Sequence, residues 1–455
     1  MKPSTTQATH TGMPRCIGES MRRFHVALKK NYNHMKKVIS IIVVLIFFAA
    51  NVCLAQTKGE SILVDGKSIH YLLMGDKNRK LGQPLIILES NHASNAETWN
   101  KVIDLLGKNT PVLAYDRAGI GQSDSFEELP TPENRTRQLK NLLTELNLEP
   151  PYILVGHGWG GILIKDFAQS YPEQVEGMVY LDPVDESSSF EKMVAIFDKE
   201  GWDGEKVARE YFDLRKKRFQ QAPEGIKKEA QVMFDFAKGE RRKSELYDFP
   251  KIPSAILAGG KQVVFMENPF EPKLSVDYLQ MVNLLHKNRI AEFTTQILNS
   301  EDSEMVLLSN YSHYLHLQEP EKIASSILSK YYGDPAKKLV KAAQLYDSER
   351  FAKYLEGLEM HTASGKIPEA TINMLGYDQL RKDQPAHALA LFTYNLNRNP
   401  NSANVYDSMG DGLVALGKTQ EAVAYYEKAV LLGEKSQHND LGIFKKNLAR
   451  VNGEK

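Results

Sequence analysis

Cysteine is almost missing from this chain of 455 residues: there are two, Cys16 and Cys53, both within the first 55. The segment beyond them has none, which excludes a disulfide framework, thiol nucleophiles and thiolate metal sites there. An excess of one charge is missing too. Lys and Arg number 57, as do Asp and Glu, so the composition carries no footprint of a nucleic-acid partner. Long apolar runs are also absent. The longest, Val38–Ala50, has 13 residues, where a spanning helix needs about 20. With 30 Gly, 20 Pro and 42% hydrophobic residues, collagen-like and disordered classes are excluded as well.

The balanced charge conceals an uneven distribution. Eight basic residues and one acid, Glu19, fall in residues 1–55, which leaves the rest of the chain net acidic. Within that leader, Met35-Lys36-Lys37 precedes the apolar run, and Cys53-Leu54-Ala55 precedes Gln56. A basic start, a short apolar core and a small residue at the end are the pattern of a cleaved export signal. The expectation is a leader over residues 1–55 with its core at 35–55. The mature protein is then periplasmic or secreted, with no stable membrane span after cleavage.

From residue 56 to 333 short apolar runs alternate with helical stretches. Strands are expected at Ser61–Val64, Ile69–Leu73, Leu85–Leu88, Val112–Tyr115, Tyr152–Val155, Met178–Leu181, Ser254–Leu257 and Glu304–Leu308. Helices between them, such as Pro132–Leu146 and Gly161–Ser170, argue an α/β class with a mostly parallel sheet covered on both faces. The connection from Leu181 to Ser254 is too long for a simple crossover and reads as a helical lid over about 186–250. Its Met and aromatic residues, among them Phe190, Met193, Tyr211, Phe212, Met233 and Phe236, are expected to pack on the core and in part to line a pocket. The Lys and Arg residues at 215–218 and 241–243 read as a solvated face.

After Tyr332 strands give way to helices, with a helical linker at 334–368 and a repeat of 34 residues over 369–455. Leu375-Gly376, Ala388 and Phe392 realign with Met409-Gly410, Ala422 and Tyr426. This resembles the tetratricopeptide repeat, in which small residues let paired helices approach while an aromatic fills the gap. Such a tail implies a protein or peptide partner, or a surface that packs on the neighbouring domain.

The segment that carries chemistry is Val155-Gly156-His157-Gly158-Trp159-Gly160-Gly161, a buried strand entering a helix through a glycine-rich turn. With Leu88–Trp99, Tyr115–Asp124 and Ser312–Pro320 in the same order, the chain resembles the α/β-hydrolase superfamily, whose G-x-S-x-G turn bears the nucleophile. The resemblance implies His313 as base and a carboxylate to orient it, for which Asp182, Asp185 and Glu267 are alternatives. It implies an oxyanion hole from the N–H of Trp159 and of Asn91 or His92. At the nucleophile position this chain has Gly158, which offers no side chain for an acyl-enzyme. Two readings follow. One is an exported protein of serine-esterase ancestry acting on a small apolar or aromatic ester-like ligand. The other is an inactive binding protein that uses the lid pocket and the tail. No cofactor is implied. His316 beside His313 lacks the third ligand a metal would need.

Overall fold

The computed structural model describes residues 59–77, 79–106, 110–240, 250–261, 274–298, 302–358 and 367–453. The leader, Glu267 and the basic residues 241–243 lie outside them. Eight strands form one sheet: β1 (Glu60–Val64), β2 (Lys67–Met74), β3 (Leu85–Glu89), β4 (Val112–Tyr115), β5 (Tyr152–His157), β6 (Val175–Leu181), β7 (Ser254–Gly259) and β8 (Glu304–Leu308). Their order is β1-β2-β4-β3-β5-β6-β7-β8. The first two strands form a hairpin turned by Asp65 and Gly66, both at positive φ, the Asp-Gly pair that suits a tight twisted turn. From β4 onward every pairing is parallel. The central strands β3, β5 and β7 are buried along their whole length, as their unbroken apolar runs require of strands covered on both faces.

Each face has its own core. On one side the helices Pro132–Glu145, Gly160–Ser170 and Tyr278–Leu298 contribute Leu139, Leu142, Phe167 and Phe293. On the other, Asn100–Leu106 and Pro320–Tyr332 contribute Val102, Ile103, Ile323 and Tyr331. The lid is three helices, Phe190–Lys199, Gly204–Arg218 and Glu224–Ala237. Ser189 and Asp203 cap the first two by accepting from Lys192 N and Lys206 N. The expected apolar stripe does pack inward: Phe197, Phe212, Phe234 and Phe236 join Trp159, Ile162 and Leu163 in a third core. At about 1.5–3 kcal/mol per buried side chain, these four rings fasten the lid to the helix that follows Gly158.

Seven helices end the described chain: Pro335–Leu345, Ser348–Gly357, Glu369–Arg381, Pro385–Arg398, Ala403–Ala415, Thr419–Ser436 and Leu441–Asn452. A Cβ at Gly376 would lie 2.2 Å from the Phe392 ring, and one at Gly410 would lie 2.5 Å from Tyr426. Glycine at both places is thus what lets each aromatic sit between its two helices. The first two helices of this tail pack on the starting ends of the strands. Lys338 pairs with Glu176 at 3.2 Å with both side chains buried, Arg350 meets Glu149 at 2.9 Å, and Tyr354 lies against Gly82. Residues 59–455 form one compact unit.

Candidate functional site

The finishing ends of β3, β5, β6, β7 and β8 bring together residues that are far apart in sequence, the usual place for a site in such a sheet. Gly158 is the first residue beyond β5 and has φ of +53°. Its backbone is tied on both sides: its N–H donates to Leu181 O at 3.0 Å, and its carbonyl accepts from Gly161 N and Val184 N. A left-handed turn held this firmly favours glycine, since another residue would be strained there.

Asp182 follows β6 and also has positive φ, +44°, a conformation that Asp tolerates better than most residues. Its Oδ2 lies 2.6 Å from His313 Nδ1, and its Oδ1 receives Arg289 Nη2 at 3.1 Å and Gly259 N–H at 3.3 Å. Burial alone would raise this carboxyl. Arg289, then the His313 hydrogen bond, outweigh burial and hold it below the usual carboxylate range. A carboxylate at Nδ1 fixes the proton of a neutral His313 on that nitrogen and leaves Nε2 as an acceptor. Of the alternative acids, Asp185 does not touch the imidazole. Its Oδ1 instead takes the hydroxyls of Ser187 and Ser188, and burial pushes it up to about 6.

The loop after β3 supplies what the sequence reading did not resolve. Asn91 Nδ2 donates to His313 Nε2 at 2.9 Å, while Asn91 Oδ1 accepts from Trp159 N at 2.9 Å and from His92 N at 2.7 Å. The two N–H groups expected to bind a developing oxyanion therefore both point at this one oxygen. A Cβ at residue 158 would lie 2.2 Å from Asn91 Oδ1 and 2.5 Å from its Cγ. The amide of Asn91 thus fills the space that a side chain at 158 would need. Its orientation follows from the bonds it makes, since only the oxygen can accept from two N–H groups.

A buried ionic cluster holds that loop. Arg117 donates to both oxygens of Glu229 at 2.8 Å, to Glu89 at 2.8 Å, and to the carbonyls of Ser90 and Asn91 at 2.7 and 2.8 Å. Glu229 stands on the third lid helix, is fully buried, and also receives His92 Nδ1 at 3.0 Å. Burial opposes its charge. Arg117, the His92 hydrogen bond and Arg135 outweigh that and keep it below the ordinary range. Neither Arg117 nor Glu229 was singled out from sequence, although a carboxylate three residues after Ile226 and four before Met233, within an apolar stripe, was a legible signal. The segment Asp116–Asp124 ties loops together: Asp116 accepts from Ala96 N, Gln122 N and His70.

Behind His313 lie two more imidazoles. The rings of His157 and His316 lie 4.5 Å apart, tilted by 57°, and His157 Nε2 donates to His313 O at 2.9 Å. Burial first, then the neighbouring histidines, holds His157 well below the imidazole range, and burial with His313 lowers His316 to about 4. Among the described residues no group of three or more His, Cys, Asp and Glu is placed to hold a metal ion, and no helix is long and apolar enough to cross a membrane.

In front of the site is a cavity of about 480 Å³ between sheet and lid. Met193, Tyr211, Phe219, Met233, Val282 and Leu285 make its apolar wall. Arg215 and Arg218 also line it. This corrects the expectation of a solvated face at 215–218: the polar side of the helix Gly204–Arg218 turns partly into the cavity. Exposed positions 216 and 217 keep the solvated character.

Parts of the chain are similar to known proteins. An uncharacterized Bacillus subtilis protein, YqjL, is 31% identical over 98 residues, which are 22% of this chain and 39% of that protein. Methylesterase 1 of Arabidopsis thaliana is 28% identical over 140 residues, 29% of this chain and 52% of that enzyme. The chain therefore matches well under two thirds of the length of such relatives. The crystal structure of a meta-cleavage product hydrolase from Pseudomonas fluorescens overlays with a TM-score of 0.40 at 19% identity, covering 60% of this chain and 97% of that one. The model of the Alpha/beta hydrolase family matches residues 91–326, which is more than half of the chain and reaches from Asn91 to beyond His313. Strands β4 to β8, the lid, the turn and the His–Asp pair all lie where this match runs, and the chain belongs to the alpha/beta hydrolase family.

Proposed function

We propose that this chain is an exported, non-covalent ligand-binding member of its family, in which the nucleophile position is occupied by Gly158 and acyl-enzyme chemistry has been lost. The observation that carries the reading is the amide of Asn91. It takes both N–H donors of the oxyanion site, caps His313 Nε2 and fills the space beside Gly158. A substrate carbonyl has no donors left to receive it unless Asn91 leaves. Serine-type ester hydrolysis remains the ancestral activity to which the Tyr115–Asp124 and Ser312–Pro320 motifs point. The leader at 35–55 supports export to the periplasm or beyond. The spacing of 34 residues and the glycine–aromatic pairs Gly376–Phe392 and Gly410–Tyr426 support a tetratricopeptide-like tail that takes a protein or peptide partner.

One specific observation favours a second activity. The 2.6 Å contact of His313 with Asp182 orients a general base that serves an activated water, without a protein nucleophile, once Asn91 leaves Nε2. The test is to offer the full chain a fluorophosphonate and p-nitrophenyl butyrate, with His313→Ala in parallel. No labelling, and ester turnover equal to that of His313→Ala, is the expected result. Labelling at the site overturns the proposal, while His313-dependent turnover without labelling replaces it with water-mediated hydrolysis.

A further inference from the structure

The cavity wall is unequal in charge. Three cationic side chains face it beside Arg218: Arg215, Lys261 and Arg289. Among the described lining residues the only carboxylate is Asp182, already bonded to His313, Arg289 and Gly259 N–H. Arg215 is held by rings rather than by acids: its guanidinium lies 5.6 Å from the Tyr211 centroid and 5.7 Å from that of Phe234. No carboxylate among the described residues pairs with it or with Lys261. Arg289 spends one Nη on Asp182 and on His286 Nδ1, and its buried Nε has no partner. Cations at the last turn of a helix complement its dipole, and that explains why Arg215 is tolerated where it is. It does not explain why Arg215 turns onto Tyr211 and into the cavity while Lys216 and Lys217 face water.

A concave, partly dehydrated space with excess positive charge concentrates anions, and a guanidinium with free N–H groups binds a planar oxyanion in a directed way. Opposite these groups stands the apolar wall of Met193, Phe219, Met233, Val282 and Leu285. Taken with the binding role proposed above, on which this rests, we infer that the cavity takes an amphiphilic anion. Such a ligand has an apolar or aromatic body and one carboxylate-like head, and it is not the neutral ester-like molecule that family resemblance implies. The head lies among the cationic side chains and the body covers the Met and aromatic wall. The cavity is in the size range of sites for small organic ligands.

The test uses the full chain and calorimetric titration with decanoate, decyl phosphate and decanol, at low and at physiological salt. Decanoate should bind at least tenfold tighter than decanol and weaken as salt rises. Arg215→Gln and Lys261→Gln should each weaken decanoate by roughly ten- to a hundredfold, the range for a lost charge-assisted hydrogen bond, and leave decanol unchanged. Lys217→Gln, on the solvent side, should change nothing. Tighter binding of decyl phosphate than of decanoate keeps the anionic head and assigns it to a phosphate monoester. Equal affinity for decanol and decanoate, or decanoate binding indifferent to Arg215→Gln in a variant that melts normally, overturns the inference while the binding role stands. Absence of binding by every probe overturns it as well, and fluorophosphonate labelling in that same protein removes the binding role too.

Discussion

Restoring a serine at the elbow is the obvious experiment, and the structure predicts a particular cost for it. The new Cβ at 158 would lie 2.2 Å from Asn91 Oδ1, so Asn91 must swing out and give up three hydrogen bonds. At roughly 0.5–1.5 kcal/mol net for each bond, that costs about 2–4 kcal/mol. A non-glycine residue in the left-handed turn adds about 1–3 kcal/mol. Asn91→Ala alone should cost about 2–4 kcal/mol for the same three bonds. In the Gly158→Ser background, however, it should cost almost nothing more, because those bonds are already broken. The double-mutant cycle should therefore show a coupling of about 2 kcal/mol or more. Urea unfolding of the four proteins measures it. Function should follow in parallel. In Gly158→Ser the displaced Asn91 already leaves Trp159 N–H and His92 N–H free, and one oxyanion donor is worth roughly 10²–10³ in rate. Gly158→Ser and the double variant should therefore react with a fluorophosphonate at similar rates, and only while His313 is present. Additive stability losses, or labelling at least about tenfold faster in the double variant than in Gly158→Ser, would refute the displacement of Asn91.

Glu229→Ala should destabilise by about 3–5 kcal/mol, because it strands Arg117 as a buried charge with half its partners; thermal melts of the variant and of Glu229→Gln would show it, the latter losing less. His316 has a folded pKa near 4 against an ordinary 6.5, so its contribution to stability is complete above pH 6.5 and is lost as the pH falls toward 4. His316→Phe should flatten that decline by up to about 3 kcal/mol in denaturation measured across this window. Asp185 has the opposite sign: its folded pKa is raised to about 6 from 3.8, so stability is lost as the pH rises from 4 to 6. Asp185→Asn should therefore raise the melting temperature at pH 7.5 but not at pH 3.5. A fragment of residues 334–455 should be only marginally folded, since Lys338 and Tyr354 are buried against the sheet domain; a sharp melt by circular dichroism would contradict this.

All eight strands were legible in the sequence because each is a short run rich in apolar residues between turn residues, and for β3, β5 and β7 burial on both faces leaves little else that such runs can become. Asp182 and His313 were legible as positions at strand ends. What escaped was pairing at a distance. Asn91 meets His313 across 222 residues and Trp159 across 68, and nothing local announces either bond. The loop residues Asn91 and His92 were legible as N–H donors, but not that a side-chain oxygen would occupy the donors meant for a ligand. Arg215 was misread for a related reason: a helix with a polar side is assumed to show it to water, and a cavity is invisible to periodicity.

The placement of the tail has a mechanical consequence. Lys338, Arg350 and Tyr354 grip the strands at the ends where they begin, near Gly82, Glu149 and Glu176, whereas the cavity opens where they finish. Strands of five to seven residues put about 20 Å of rigid sheet between the two. The docked end of the tail is thus at the opposite edge of the sheet from the cavity. Filling the cavity should leave the Lys338–Glu176 pair and the packing of Tyr354 on Gly82 unchanged.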